Sequence, residues 1–145
     1  TMNSEAVVFF RPNLAQNFAR KAKRAGHLLS KQRYLSAQLH AYLDDDLWLK
    51  NAQNANECAA YFAERLAKIP CVKFVEKVRS NIIFVEMPSR YAQNLRQNGC
   101  GFYSQLSTRD GYEIVRLVCG FSTAKNEIDR FMSYLEEQIL DIVAC

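Results

Sequence analysis

Residues 72–87 read VKFVEKV (72–78), RSN (79–81) and IIFVEM (82–87). Apolar and polar side chains alternate in the first block, and the last block is rich in β-branched and aromatic residues, which is typical of strands. Ser80 and Asn81 between them are residue types that are common in turns. The segment therefore predicts two antiparallel strands that are joined by a short turn.

The pattern becomes helical on both sides of this pair. Upstream, the aspartates at 44–46 offer a cap for a helix whose apolar residues continue to Pro70. Downstream, a helix is predicted over about 88–98, and Gly99 ends it because glycine tolerates positive φ. Each of the two strands is therefore next to a helix in the chain.

Two more strands are predicted near 101–106 and 113–119, with a turn at 109–111 between them. The final helix begins near Thr123. Its apolar stripe consists of Ile128, Phe131, Met132, Leu135, Ile139, Ile142 and Val143. The resulting order from Asn54 onwards is αββαββα, which a four-stranded antiparallel sheet with helices on one face satisfies through short connections. We therefore predict an α+β small domain over residues 44–145.

The first 43 residues are organised differently. AVVFF (6–10) is a fully apolar run, as found in buried strands of α/β sheets with two covered faces. Helices are predicted over about 12–23 and 30–43, separated by Gly26. Because the sequence supplies no evident sheet neighbours for 6–10, we interpret residues 1–43 as a strand-helix arm that belongs to a larger α/β domain.

The composition, with 49% hydrophobic and 23% charged residues, is that of an ordinary folded protein. Part of the net charge of +4 is concentrated at Arg20, Lys21, Lys23, Arg24, Lys31 and Arg33. Such a run either coats a solvated helix face or binds an anion. No apolar run approaches the roughly 20 residues of a membrane helix, and no secretory signal is recognisable. We therefore expect no membrane partner.

The cysteines do not predict a disulfide framework or a metal site. They number five (Cys58, Cys71, Cys100, Cys119 and Cys145), without a CxxC pair. Only His27 and His40 are available as histidine ligands, and successive aspartates at 44–46 offer no convergent oxygen cage. Scattered free cysteines fit a cytoplasmic location. We expect no bound metal.

Arg116 is the one residue that suggests a site, because familiar catalytic motifs are absent. It lies within the apolar strand IVRLV (114–118), with no acidic residue two positions away on its own face. An unpaired buried guanidinium is costly, and its planar fork suits a carboxylate. Three roles are open: binding a ligand carboxylate, pairing internally, or facing solvent. Cys119 would lie on the opposite strand face, so we interpret it as a buried thiol.

Several segments together resemble the C-terminal part of low-specificity L-threonine aldolases. They are EAVVFF (5–10), KRAGHLLSK (23–31), RYLSAQ (33–38), SNIIFV (80–85) and IVRLV (114–118). The resemblance covers essentially the whole chain. It implies a fold-type-I enzyme that uses pyridoxal 5'-phosphate and cleaves L-threonine or L-allo-threonine to glycine and acetaldehyde.

The resemblance also implies which site residues this chain carries. In the family, the Schiff-base lysine lies just upstream of the segment that 5–8 resembles, so we expect this chain to contain no catalytic residue, to bind no cofactor and to be inactive by itself. Arg116 matches the position that binds the substrate carboxylate. Arg33 is a candidate for the cofactor phosphate, and His27 is a weaker one. The family resemblance further implies a homo-oligomer, a homotetramer in the parent enzymes, and makes residues 1–43 the end of the cofactor domain.

Two alternatives stay open. Another fold-type-I pyridoxal enzyme, a lyase or an aminotransferase, would share the C-terminal domain and its arginine. A non-enzymatic module could bind nucleic acid through sheet aromatics such as Phe84 and Phe102. That reading is not favoured, because no basic-aromatic motif occurs and a charge of +4 is modest. We expect an amino-acid substrate and no nucleic-acid partner.

Overall fold

The computed structural model describes residues 5–107 and 109–143. Contacts divide the chain into two units, Thr1–Trp48 and Leu49–Cys145. The predicted domain boundary between residues 43 and 44 remains a prediction. No helix in the described ranges is both long enough and apolar enough for a membrane crossing.

The first unit contains short helices. They are a 3-10 turn at Pro12–Ala15, α1 at Phe18–Arg24, α2 at Arg33–Leu43 and a second 3-10 turn at Asp44–Asp46. None of these elements has a buried residue. Among the described residues, the three aspartate side chains form no capping hydrogen bond, and Asp45 and Asp46 adopt positive φ angles of 49° and 57°. The capping role expected of this triplet is therefore not observed.

The first unit also differs from the predicted arm in two places. The strand expected at 6–10 is not formed, because a strand needs a paired neighbour and no described residue pairs with this segment. The helix expected over 12–23 is interrupted at Asn17, which adopts the left-handed conformation with φ 60°. Gly26, with φ 81°, follows α1 as predicted.

The second unit is built on one antiparallel sheet. Its strands are β1 (Lys73–Phe74), β2 (Ile82–Pro88), β3 (Tyr103–Leu106) and β4 (Tyr112–Val118), in the spatial order β1-β2-β4-β3. Every neighbouring pair is antiparallel. The predicted α+β fold with a four-stranded antiparallel sheet is confirmed. Strand β1 is shorter than the predicted 72–78, because the edge strand bends after Phe74 and pairs on one side only.

Three helices accompany the sheet: α3 (Leu47–Leu66), α4 (Ser89–Gln97) and α5 (Lys125–Val143). Together with one sheet face they form a single core. Its largest fully buried side chains are Leu66, Ile83, Val85, Met87, Leu95, Val115, Met132 and Leu135. The predicted stripe of α5 therefore packs on the sheet as far as Leu135. The side chains of Ile139, Ile142 and Val143 lie outside the described part of the chain.

A polar clamp joins α4 to the last two strands. Arg96 Nη2 lies 2.8 Å from Glu113 Oε2, and the Ser104 hydroxyl donates a hydrogen bond of 2.7 Å to the same oxygen. Arg96 also lies over the Phe102 ring, 4.8 Å from its centroid. The hydrogen bond from Arg96 is the main cause that lowers the pKa of Glu113 below its ordinary value of 4.5. The clamp therefore favours the ionised carboxylate.

This pKa shift predicts an acid-sensitive contribution to stability. Glu113→Gln should lower the free energy of unfolding at neutral pH, because the ion pair is lost. The difference from the unsubstituted protein should shrink as the pH falls below 4.5 and through the lowered folded pKa, since protonation then removes the same charge. Urea unfolding between neutral pH and about pH 3 measures it. Glu64→Gln, at an exposed position of α3, is the control; a loss that is the same at every pH would contradict the prediction.

Candidate functional site on the open face of the sheet

Three side chains form a row across the sheet face on which no helix of the second unit packs, within the described residues. Arg116 in the central strand β4 is paired with Phe84 in β2 and with Tyr103 in β3. Side chains alternate along a strand, so this row lies on the face opposite the buried Val115 and Leu117. The cation is therefore flanked by an aromatic residue on each neighbouring strand.

The row lines an open pocket of about 310 Å³. Its lining residues are Phe84, Tyr103, Ser104, Gln105, Ile114 and Arg116. Arg116 is the charged residue among them, so the pocket favours an anion. In the described ranges, no three His, Cys, Asp or Glu residues are grouped as a metal site would require.

Arg116 is exposed, as one of the three roles left open by the sequence would have it. The neighbours Ile114 and Val118 made the strand look covered on both faces, but Val118 is itself 53% exposed. The cost of an unpaired buried guanidinium therefore does not apply to Arg116. Within 5–107 and 109–143 no carboxylate forms an ion pair with Arg116. An internal ion pair is thus not found among these residues. The N–H donors of Arg116 therefore remain available to a ligand.

The guanidinium is nevertheless held in place. Its carbon lies over the Tyr103 ring, 4.8 Å from the centroid. A cation over the face of an aromatic ring is attracted by the ring quadrupole. Sequence reasoning did not identify Tyr103, because its position opposite Arg116 depends on the pairing register of β3 and β4.

The other two candidates belong to the first unit. Arg33 is the first residue of α2, and its side chain is exposed with no acceptor among the described residues. His27 is also exposed and follows Gly26. A cofactor role for either residue remains a prediction.

Cys119 is excluded as a reactive partner of Arg116. Arg116 is exposed whereas Cys119 is 3% exposed, which confirms that they lie on opposite faces. Burial disfavours the thiolate and, with the nearby Cys58, raises the pKa of Cys119 to about 11. A thiol with this pKa is almost entirely protonated at neutral pH and is therefore a poor nucleophile.

Solved structures share the fold of this chain. A threonine aldolase from Leishmania major matches with a TM-score of 0.79 at 24% identity, over 88% of this chain and 37% of that one. Catharanthus roseus tryptophan decarboxylase and Rhodiola rosea 4-hydroxyphenylacetaldehyde synthase each match over 63% of this chain and 22% of theirs. Their TM-scores are 0.53 and 0.50, at 13% and 18% identity. At these identities the likeness concerns the fold.

Two curated sequences are similar to this chain, and both are threonine aldolases. The chain is 36% identical over 119 residues to the low-specificity L-threonine aldolase of Pseudomonas aeruginosa, and 34% identical over 124 residues to that of Pseudomonas sp. NCIMB 10558. The matches cover 82% and 86% of this chain but only 33% and 35% of the relatives. The chain thus spans about a third of their length. No family model matches the sequence. The similarity to threonine aldolases that the sequence indicates is confirmed.

The burial of Cys119 can be tested directly by its chemical reactivity. In the native protein, iodoacetamide should modify Cys71, which is partly exposed, well before Cys119, which should react only when the core opens. Peptide mass mapping over time, with and without urea, measures this order. Equal native rates at the two cysteines would contradict the buried position of Cys119.

Proposed function

We propose that this chain forms the C-terminal, substrate-carboxylate-binding part of a pyridoxal-phosphate-dependent threonine aldolase. The observation that carries the proposal is Arg116, an exposed guanidinium on the open sheet face that has no carboxylate partner among the described residues. The chain that presents it is 34–36% identical to low-specificity L-threonine aldolases over most of its length. The whole protein would cleave L-threonine or L-allo-threonine to glycine and acetaldehyde.

Arg116 suits an amino-acid substrate because of its shape and its surroundings. A guanidinium offers five N–H donors in a planar fork, and two of them can bind both oxygens of a carboxylate. Phe84 and Tyr103 flank the cation, so an approaching carboxylate meets one positive group between two aromatic side chains. Binding at two oxygens fixes the direction in which the substrate Cα leaves the carboxylate, and this orientation is the contribution of Arg116.

Each unit of this chain contributes one arginine to the proposed function. Arg33 has an exposed guanidinium that suits a phosphate group, and Arg116 suits the substrate. When bound, pyridoxal phosphate supplies an electron sink for the bonds at the substrate Cα. The remaining groups that hold the cofactor would come from protein outside this sequence.

A different fold-type-I lyase or an aminotransferase is the second candidate. The structural likeness to the decarboxylase and the aldehyde synthase concerns the fold alone. Sequence identity of 34–36% over more than four-fifths of the chain favours the aldolase. The product of threonine turnover distinguishes the two classes.

Substitution of Arg116 in the full-length product of the gene tests the proposal. With pyridoxal phosphate and L-threonine, the unsubstituted protein should release acetaldehyde, measured by coupling to alcohol dehydrogenase. A hydrogen bond to a charged group is worth about 1.5–3 kcal/mol, so Arg116→Ala should lower kcat/KM by about 10- to 160-fold. Arg116→Lys should lie between the two, because a point charge replaces the planar fork.

Arg109→Lys is the matched control, since Arg109 also stacks on a tyrosine but does not line the pocket. It should leave kcat/KM unchanged. The present chain without the rest of the protein should release no acetaldehyde. Absence of acetaldehyde from the full-length protein would overturn the aldolase assignment, and an unaltered kcat/KM in Arg116→Ala would overturn the role of Arg116.

We also propose a cytoplasmic homo-oligomer. The support for the location is that Cys58, Cys71, Cys100 and Cys119 are free thiols. The support for assembly lies in the first unit. Val8 and Phe10 are 71% and 93% exposed there, and exposed apolar side chains favour burial against a second copy of the chain.

Self-association has a simple measurement. Light scattering of the chain at several concentrations should give a mass above the monomer, because exposed apolar side chains gain by burial between copies. Replacing Val8 and Phe10 with serine should move the mass towards the monomer. A single monomer mass for the unsubstituted chain would contradict the proposal.

A further inference from the structure

We propose that Tyr103 positions the Arg116 guanidinium for carboxylate binding. The proposal rests on the function proposed for Arg116 and adds a residue to that site. Tyr103 would not contact the reacting atoms. It would act through Arg116, as the surface on which the cation rests.

The sheet register brings the two residues together. Tyr103 in β3 is directly paired with Arg116 in β4, and the guanidinium carbon lies 4.8 Å from the ring centroid. Directly paired residues of an antiparallel sheet have Cβ atoms about 4.5–5.5 Å apart, so the contact follows from the backbone pairing. It needs no loop to hold it.

The stack restrains Arg116 without using its hydrogen-bond donors. The attraction is between the positive charge and the ring quadrupole, so the five N–H groups stay available to oxygen acceptors. An exposed arginine otherwise loses rotamer freedom when a ligand immobilises it, and this loss weakens binding. Tyr103 reduces that loss because the guanidinium already lies in the pocket before the ligand arrives.

Tyr103 has little other role in the fold. It is 74% exposed, so its ring is not part of the core. Among the described residues, its ring stacks on Arg116 and on no other side chain, and it lines the same pocket. An aromatic ring placed this way contributes to the pocket surface and not to the packing behind it.

A second stack in the same hairpin provides a matched comparison. Arg109 lies over the Tyr112 ring at 3.7 Å, closer than Arg116 lies to Tyr103. Neither Arg109 nor Tyr112 lines the pocket. If arginine-tyrosine stacking served only to stabilise the hairpin, both tyrosines would affect stability and neither would affect carboxylate binding.

The experiment follows the Arg116 side chain directly. In the ¹⁵N-labelled chain, the Arg116 Nε–Hε resonance is assigned by its loss in Arg116→Lys. Glycine is then titrated in one arm and sodium chloride in a second arm. We expect glycine to shift this resonance and chloride to leave it nearly unchanged.

Three tyrosine variants complete the test. Tyr103→Leu should move the Arg116 resonance of the free chain, because the ring current is lost, and should raise the glycine dissociation constant about twofold to fivefold. Tyr103→Phe should restore both values, since the ring face remains. Tyr112→Leu should leave both unchanged.

The outcomes separate the two proposals. If glycine fails to shift the Arg116 resonance in the unsubstituted chain, the carboxylate site itself is overturned. If glycine binds equally well to the unsubstituted chain and Tyr103→Leu, only the positioning role of Tyr103 is overturned. The same holds if Tyr112→Leu weakens glycine binding as much as Tyr103→Leu does, because the effect would then belong to the hairpin.

Discussion

The second unit depends on the alternation of side chains along β4. Val115 and Leu117 lie in the core, and Arg116 between them lies on the open face. Because β4 lies between β2 and β3, its register also determines which of their residues face the pocket. A shift by one residue would turn a guanidinium into an apolar core, at a cost of several kcal/mol. The packing that builds the core therefore also holds the cation outside it.

This arrangement gives the pocket a well-positioned cation but no other charged residue. It offers a charged donor between two aromatic side chains, on a sheet whose backbone is fixed by pairing on both sides of β4. Among the lining residues, however, Arg116 is the single charged one, so the pocket can hold an anion but presents no carboxylate or imidazole to it. Such a surface suits a binding role within a larger site. The chain spans about a third of the length of its relatives.

Local sequence patterns were enough to predict the order of helices and strands. Features that depend on strand pairing could not be predicted from them. The order of helices and strands after residue 47 follows from hydrophobic period and turn residues, and the structure has that order. The strand at 6–10 is absent, because an apolar run becomes a strand only beside a partner. Tyr103 was not predicted as a site residue, because its partner depends on the register of β3 and β4. A turn centred on Asp110 would pair Tyr103 with Leu117, on the core face. The observed pairing is shifted by one residue, to Arg116.

The strand order β1-β2-β4-β3 has a consequence for how the chain acquires its structure. The last strand to leave the ribosome is inserted at the centre of the sheet, so β2 waits for its main partner while α4 and β3 are made. Pairings between residues distant in sequence form slowly, and an apolar strand that waits for its partner is prone to aggregate. The row of Phe84, Arg116 and Tyr103 can therefore form only after β4 has been made and has paired with both β2 and β3.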